Sequence, residues 1–303
     1  MIQYLNALKQ VLEQGEVRDD RTGVGTISLF GMQQRYDLSK SFPAVTTKKL
    51  AWRACVGELL WMIEGSGSER RLAEITHGTS DGKVTIWTPN ALAPYWRPKA
   101  KFEGDLGRVY GVQWRRWRTV QQHNAEEFKD SFGTWYRSAS SYEEKYVDQL
   151  TDLINGIKQD PHGRRHILSA WNPGELDQMA LPPCHMFAQF YVSKDNRLSC
   201  QMYQRSCDMF LGVPFNIASY SLLTTLIAQV CGLQVGEFVH VLGDAHIYLN
   251  HVEQVKEQLA REPLPAPTLW LNPDVTDITK FTMDDIKLTN YQSHGSIKAD
   301  MAV

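Results

Sequence analysis

Residues 186–203, MFAQFYVSKDNRLSCQMY, set two apolar, β-prone runs, Met186 to Val192 and Leu198 to Tyr203, on either side of the polar link Ser193-Lys194-Asp195-Asn196-Arg197. Runs of that length joined by a turn-forming link spell a β-hairpin. Downstream, Ile217, Tyr220, Leu223, Leu226, Ile227 and Val230 recur at helical spacing between Asn216 and Cys231, with Gly232 as the stop. A strand at Phe238 to Leu242 follows, then a helix from about His246 to Ala260 with alternating charges on its outer face. Strands interleaved with such helices predict an α+β fold, a large sheet backed by long helices.

Upstream, Tyr4, Leu5, Leu8, Val11 and Leu12 form one helical stripe over residues 2–14, stopped by Gly15 as a C-cap. Thr26 to Leu38 is strand-like. Lys49 to Glu64, with Leu50, Ala54, Leu60 and Trp61 before the stop Gly65-Ser66-Gly67, reads as a largely buried helix. No repeat, low-complexity tract or flexible linker divides the chain, so one domain over residues 1–303 is expected. The polar, aromatic-sprinkled stretch from about 119 to 146 reads as an excursion from its core.

A chain of 303 residues that is 43% hydrophobic and 22% charged is not disordered in bulk. Its 32 basic and 34 acidic residues leave a formal charge of −2, which gives no overall pull toward nucleic acid or anionic lipid. No apolar run nears the ~20 residues that cross a bilayer. The N-terminal MIQYLNALKQ lacks the features of a secretory signal, so a cytoplasmic protein and no membrane partner are expected. Five cysteines, at 55, 184, 200, 207 and 231, form no CxxC pair and suit a reducing compartment.

Cys184 stands between Pro182-Pro183 and His185, and prolines cannot donate to a sheet ladder, which places the thiol at a strand mouth. A buried structural cysteine is the ordinary alternative. A dyad with His185 fails because neighbours in a strand face opposite ways, and the spacing offers no tetrahedral metal site. Arg21, Arg164, Arg165 and Arg205 are, taken singly, ordinary solvated arginines. Together with Ser206 they could fork onto a phosphate dianion, and their charge would lower the pKa of a nearby thiol. Asn216, as an N-cap or as a side-chain amide matching the N3–H and O4 of uracil, and His246 with Tyr248 at a helix start, supply further polar groups. The run Gln113-Trp114-Arg115-Arg116-Trp117-Arg118 could stack and neutralise a single-stranded nucleic acid, or pack and pair within the protein. One short patch on an acidic chain argues against a nucleic-acid partner.

Several ordered motifs resemble the thymidylate synthase family over nearly the whole length. They are Asp20-Arg21-Thr22-Gly23, Phe42-Pro43-Ala44-Val45-Thr46-Thr47-Lys48-Lys49, Glu58-Leu59-Leu60-Trp61, Ile86-Trp87, Gly104-Asp105-Leu106-Gly107 before Val109-Tyr110-Gly111, and Arg164-Arg165. Ser169-Ala170-Trp171-Asn172, Leu181-Pro182-Pro183-Cys184-His185, Gln204-Arg205-Ser206-Cys207-Asp208, Asn216-Ile217-Ala218-Ser219-Tyr220, Gly243-Asp244-Ala245-His246-Ile247-Tyr248 and the tail Ile297 to Val303 continue the series.

The resemblance implies a three-layer fold and a sheet-to-sheet homodimer that lends Arg164 and Arg165 across the interface. It implies dUMP as substrate, methylated at C5 through a Cys184–C6 adduct, and 5,10-methylenetetrahydrofolate as co-substrate, without a metal. Glu58, Tyr110, His185, Asp208 and Asn216 would join Cys184 in catalysis. Arg21, Gln204, Arg205, Ser206, His246 and Tyr248 would hold the nucleotide with Asn216, and Ile86, Trp87, Asp208, Leu211, Gly212, Phe215 and Val303 the folate. The related hydroxymethylases share these motifs and differ in letting water add where a synthase transfers hydride. Gly57 stands where the family usually has His or Lys, Thr88 where Asp commonly follows Ile-Trp, Arg108 where Pro precedes Val-Tyr-Gly, and Ser293-His294-Gly295 where Pro-His-Pro is usual.

Overall fold

A computed structural model of the protein describes residues 1–20, 22–123, 127–137 and 140–300. The chain begins with α1 (Ile2–Gln14), β1 (Glu16–Arg18), β2 (Thr26–Asp37), α2 (Trp52–Glu64), α3 (Glu69–His77), α4 (Thr88–Ala91) and α5 (Gly111–Arg115). The strands β3 (Trp117–His123), β4 (Glu127–Lys129), β5 (Trp135–Arg137) and β6 (Ser141–Val147) follow, then α6 (Gln149–Gln159), β7 (Ile167–Ser169), β8 (His185–Val192) and β9 (Arg197–Asp208). The last elements are α7 (Gly212–Val230), β10 (Gln234–Tyr248), α8 (Val252–Leu259), β11 (Thr268–Leu271) and β12 (Ile286–Thr289).

Six strands form one mixed sheet in the order β1-β2-β10-β9-β8-β7. The hairpin read from residues 186–203 lies inside it, between β10 and β7: β8 and β9 pair antiparallel, and both run beyond the apolar cores that announce them. β9 and β10 are parallel, and such a pair needs a long crossover, which α7 supplies. α7 is apolar all round and has Leu222, Leu223, Leu226 and Ile227 fully buried against the sheet and α2, because it fills the layer between them. Nineteen residues at this hydropathy are long and apolar enough to cross a membrane by length and composition, contrary to the sequence expectation, but 78% of the window is buried inside the protein. α1 packs on β2 and β10, with Tyr4, Leu8 and Val11 buried.

Three elements differ from their sequence expectations. β10 is one 15-residue strand, so His246 and Tyr248 lie in the sheet and open no helix; the helix starts at Val252. Gly243 looks like a break but is a close-approach point, since a Cβ there would meet the Tyr203 hydroxyl at 2.9 Å and the Arg205 carbonyl at 3.0 Å. α7 starts four residues before Asn216, which therefore is no N-cap. α2 begins at Trp52 instead of Lys49 and ends at Gly65 in the left-handed region, whereas Gly15 after α1 is extended.

Between α5 and α6 the chain makes two antiparallel ladders, β3 with β6 and β4 with β5. Trp135 and Tyr142 on them, and Phe132 in the turn between β4 and β5, are exposed. Their root is tied down by Arg118, whose Nε lies 2.6 Å from Glu175.

Candidate active site

Cys184 occupies the last position before β8, where the ladder with β9 shifts register between His185 and Phe187. A bulge at such a place re-aims side chains that regular pleating would alternate. The Cys184 N–H donates to the Tyr110 hydroxyl at 2.8 Å, and its carbonyl accepts from the Arg205 N–H at 2.8 Å. Burial pushes the thiol pKa up, opposed by the Arg205 charge and by the hydroxyls of Tyr110 and Ser206. The expected lowering is therefore not found in the unliganded site, because desolvation outweighs one neighbouring guanidinium. The other four thiols are pushed up as well by burial, Cys200 to about 12 and Cys231 to about 11.

Arg205 is aimed by its own strand. Its Nε and Nη2 donate to the carbonyls of Pro183 and Pro182, each at 2.9 Å, and its guanidinium lies over the Trp171 ring at 5.3 Å. Neither proline has an N–H to satisfy, so their carbonyls are free to hold the arginine beside the thiol. Ser206 and Asp208 follow on β9, and Asp208 Oδ1 accepts the N–H groups of Phe210 and Leu211 at 3.0 and 3.1 Å. A carboxylate at the entry to α7 also faces the positive end of the helix dipole.

Tyr110 has φ +30°, a strained backbone for a residue with a side chain, and Gly111 next to it packs so tightly on Met62 that a Cβ would meet its carbonyl at 2.3 Å. The Tyr110 ring lies against His185, centroids 4.3 Å apart, and edge-on to Trp87 at 5.7 Å. Burial drives the phenol well above its ordinary range. His185 contacts the Tyr220 hydroxyl at 2.9 Å, and burial, then His240, lowers its pKa to about 3, so the ring is neutral. On α2, buried Glu58 accepts from the Trp87 indole N–H at 2.5 Å, and burial raises its pKa to about 7 against that hydrogen bond.

Asn216 Oδ1 accepts from Gln204 Nε2 at 3.0 Å, and Gln204 Oε1 pairs with His240 Nε2 at 2.9 Å. His246 Nδ1 sits 3.2 Å from the Asp244 carbonyl; burial opposes its charge, yet the Asp244 and Asp208 carboxylates raise its pKa. Its ring meets Tyr248 edge-on at 5.2 Å. Leu211, Gly212 and Phe215 are half-buried at the start of α7, and Ile86 is 56% exposed. Apolar side chains beside the Asp208 acceptor fit a flat, partly polar ligand.

Arg164 and Arg165 are exposed in the segment entering β7 and join no hydrogen bond or ion pair with the Cys184 cluster among the described residues. Arg21 and Val303 lie outside the described residues. Sequence reasoning passed over Lys48, which is buried, donates to the Phe210 carbonyl and lies 3.5 Å from the Phe210 ring centre. Burial lowers its pKa to about 8 against the pull of Asp208. It also passed over Tyr220 and His240, whose signal was their place among the buried positions of α7 and β10.

The unusual residues have structural partners. A Cβ at Gly57 would meet the Thr76 hydroxyl at 2.2 Å, Arg108 pairs with buried Glu175 at 2.5 Å, and Thr88 donates to Glu69 at 2.5 Å. His294 is held by the Glu262 carbonyl at 2.9 Å. In the Trp and Arg run, Arg115 pairs with Asp148 at 2.9 Å and Arg116 donates to the Gly65 carbonyl at 3.2 Å. With Arg118 on Glu175, those side chains are spent on the fold, which leaves little of a nucleic-acid surface.

Comparison with known proteins agrees with this geometry. The family model described as thymidylate synthase matches residues 2–303. A bifunctional dihydrofolate reductase-thymidylate synthase of Zea mays is 50% identical over 304 residues, covering 99% of this chain and 54% of that protein. The chain thus spans about half the length of this curated relative. A match over nearly every residue, with a thiol, an arginine and a buried acid gathered at one sheet end, leads to one conclusion: the chain belongs to the thymidylate synthase family.

Proposed function

We propose that the protein transfers a one-carbon unit from 5,10-methylenetetrahydrofolate to C5 of dUMP, giving dTMP and dihydrofolate. The observation that carries the reading is Cys184 beside Arg205, Ser206 and Tyr110 at the mouth of β8. Arg205 and Ser206, with Arg21 and the Arg164-Arg165 pair of a second copy, hold the phosphate. His246 and Tyr248 take the 3′-hydroxyl. Asn216, fixed through Gln204 and His240, presents its amide to the uracil edge.

Uracil C6 is the β carbon of a conjugated carbonyl and accepts a soft thiolate. As the Cys184 sulfur bonds to C6, negative charge moves to O4, where Asn216 and water ordered by Glu58 and neutral His185 stabilise it. C5 becomes nucleophilic and bonds to the methylene carbon that the folate supplies; one carbon–nitrogen bond of that methylene opens before the attack, and the other breaks as the C5 proton is lost, its electrons returning to the folate nitrogen. The phenol of Tyr110 keeps its own proton, so the C5 proton passes to a water that Tyr110 holds. Trp87, Leu211 and Phe215 flank the methylene and exclude bulk water, and the sulfur leaves when hydride reaches that carbon.

In this reading a second copy covers the open face of the sheet around Arg35, Gln189, Tyr191 and Gln201, where a groove of about 540 Å³ lies. The reading is tested by incubating the purified chain with dUMP and methylenetetrahydrofolate and identifying both products by mass. dTMP with dihydrofolate is expected. Hydroxymethyl-dUMP with tetrahydrofolate would assign the hydroxymethylase reaction instead.

A further inference from the structure

The segment 80–88 that carries Trp87 has few apolar anchors, since Val84 is 70% and Ile86 56% exposed. It is tied instead to the first turn of α3. Glu69, 1% exposed, accepts from the Thr85 hydroxyl at 2.7 Å and the Thr88 hydroxyl at 2.5 Å through Oε1. Its Oε2 holds Arg70, whose Nη1 and Nη2 reach the carbonyls of Ser80 and Lys83, each at 3.2 Å. Each threonine hydroxyl donates to Glu69 and accepts in turn: Thr88 from the Thr85 N–H at 2.9 Å, Thr85 from the Trp87 N–H at 3.2 Å. Both threonine hydroxyl protons, and the N–H groups of Thr85 and Trp87, thus have acceptors within the network. Glu69 therefore fixes the Trp87 backbone, while Glu58 fixes its indole.

We propose that Glu69 is a positioning residue for Trp87, supplying from α3 the carboxylate that the family commonly places just after the tryptophan, and that it decides whether the one-carbon unit is reduced or hydrated. The inference rests on the dUMP reading above. In the reduction branch, hydride moves from the tetrahydrofolate ring to the exocyclic methylene on C5, the sulfur–C6 bond breaks, and dTMP and dihydrofolate leave. In the hydration branch, a water oxygen bonds to that methylene and loses a proton, the same sulfur is expelled, and tetrahydrofolate leaves unoxidised. A Trp87 that drifts from the methylene opens the second branch.

Thr88→Asp in the natural chain sets a second carboxylate against Glu69, and Glu69→Gln removes the charge from both hydroxyl bonds. Combining them restores one carboxylate facing neutral partners. Each single variant should raise the hydroxymethyl fraction of product about tenfold, the worth of a charge-assisted hydrogen bond, with KM for dUMP within about twofold. The double variant should return toward the natural ratio, a coupling that two unrelated lesions would not show. Should Glu69→Gln fail to fold, Thr88→Val removes the same hydroxyl bond and must shift the ratio the same way. Natural product ratios in the single variants, or a double variant no better than the worse single, would overturn the inference while leaving dTMP formation intact. A natural chain that leaves dUMP unconsumed would overturn the dUMP reading itself.

Discussion

Glu58 and Glu175 are both almost wholly buried, at 7% and 4% exposure, in opposite electrostatic company. Around Glu58 the partners are neutral: one indole N–H, with the Tyr110 and Tyr220 phenols and the Cys55 thiol near it. Burial wins there, and the acid is raised to about 7. Around Glu175 stand Arg108 at 2.5 Å, Arg118 at 2.6 Å and the amides of Gln113 and Asn172. Burial raises its pKa too, but Arg108 and Gln113 outweigh it and the acid is held below its ordinary range. One site keeps charge uncompensated, where a proton can be held or released; the other cancels it and joins the excursion's root to the segment before Tyr110. The difference separates chemistry from scaffold.

That separation is broken most directly at the thiol. Cys184→Ala should lower turnover by about four orders of magnitude or more while the unfolding midpoint in urea stays close to the natural value. A variant retaining a tenth of the activity would remove Cys184 from the chemical side. Glu175→Ala should do the reverse. Leaving two half-buried guanidiniums without their acid should cost about 2–3 kcal/mol, read by urea unfolding, with the remaining folded fraction still turning over.

Glu58→Gln sharpens the contrast because its two effects have opposite signs. The folded chain holds the Glu58 proton up to about pH 7 and the unfolded chain only to about 4.5, so the folded state binds more protons in that window. Natural stability therefore falls as pH rises from 4.5 to 7, and the glutamine variant escapes the fall. Its advantage should grow across that window and level off above pH 7 at about 3 kcal/mol, while turnover drops about a hundredfold. Urea unfolding at pH 4.5 and pH 8 measures it, and an equal effect at both would mean Glu58 is not the titrating group.

The parts of the fold with a clean period were legible. The stripe Tyr4, Leu8, Val11 and the two apolar runs either side of the link 193–197 gave α1 and the β8–β9 pair to within a few residues of one end. β10 was legible only over Phe238 to Leu242, because a strand largely buried on both faces loses its alternation, and Gly243-Asp244 imitates a turn. Asn216 looked like a cap since helix 212–230 starts with Gly, Val and Pro, residues that fit a loop equally well. At the site, Cys184, Arg205 and Ser206 were found from residue chemistry, and the structure gathers them. Glu69 and Glu175 escaped notice because an acid's partners, Thr88 or Arg108, are long-range contacts that spacing does not encode.

The central claim is that Cys184, and no other thiol, joins covalently to C6 of a uracil nucleotide. Replacing the C5 hydrogen of dUMP by fluorine blocks loss of that substituent as a proton and should stall the reaction after both bonds have formed. Mass spectrometry of the digested protein, after incubation with 5-fluoro-dUMP and methylenetetrahydrofolate, is expected to place one nucleotide and one folate on the peptide bearing Cys184. An unmodified Cys184 peptide, or the same mass on the peptide of Cys55, Cys200, Cys207 or Cys231, would contradict the account.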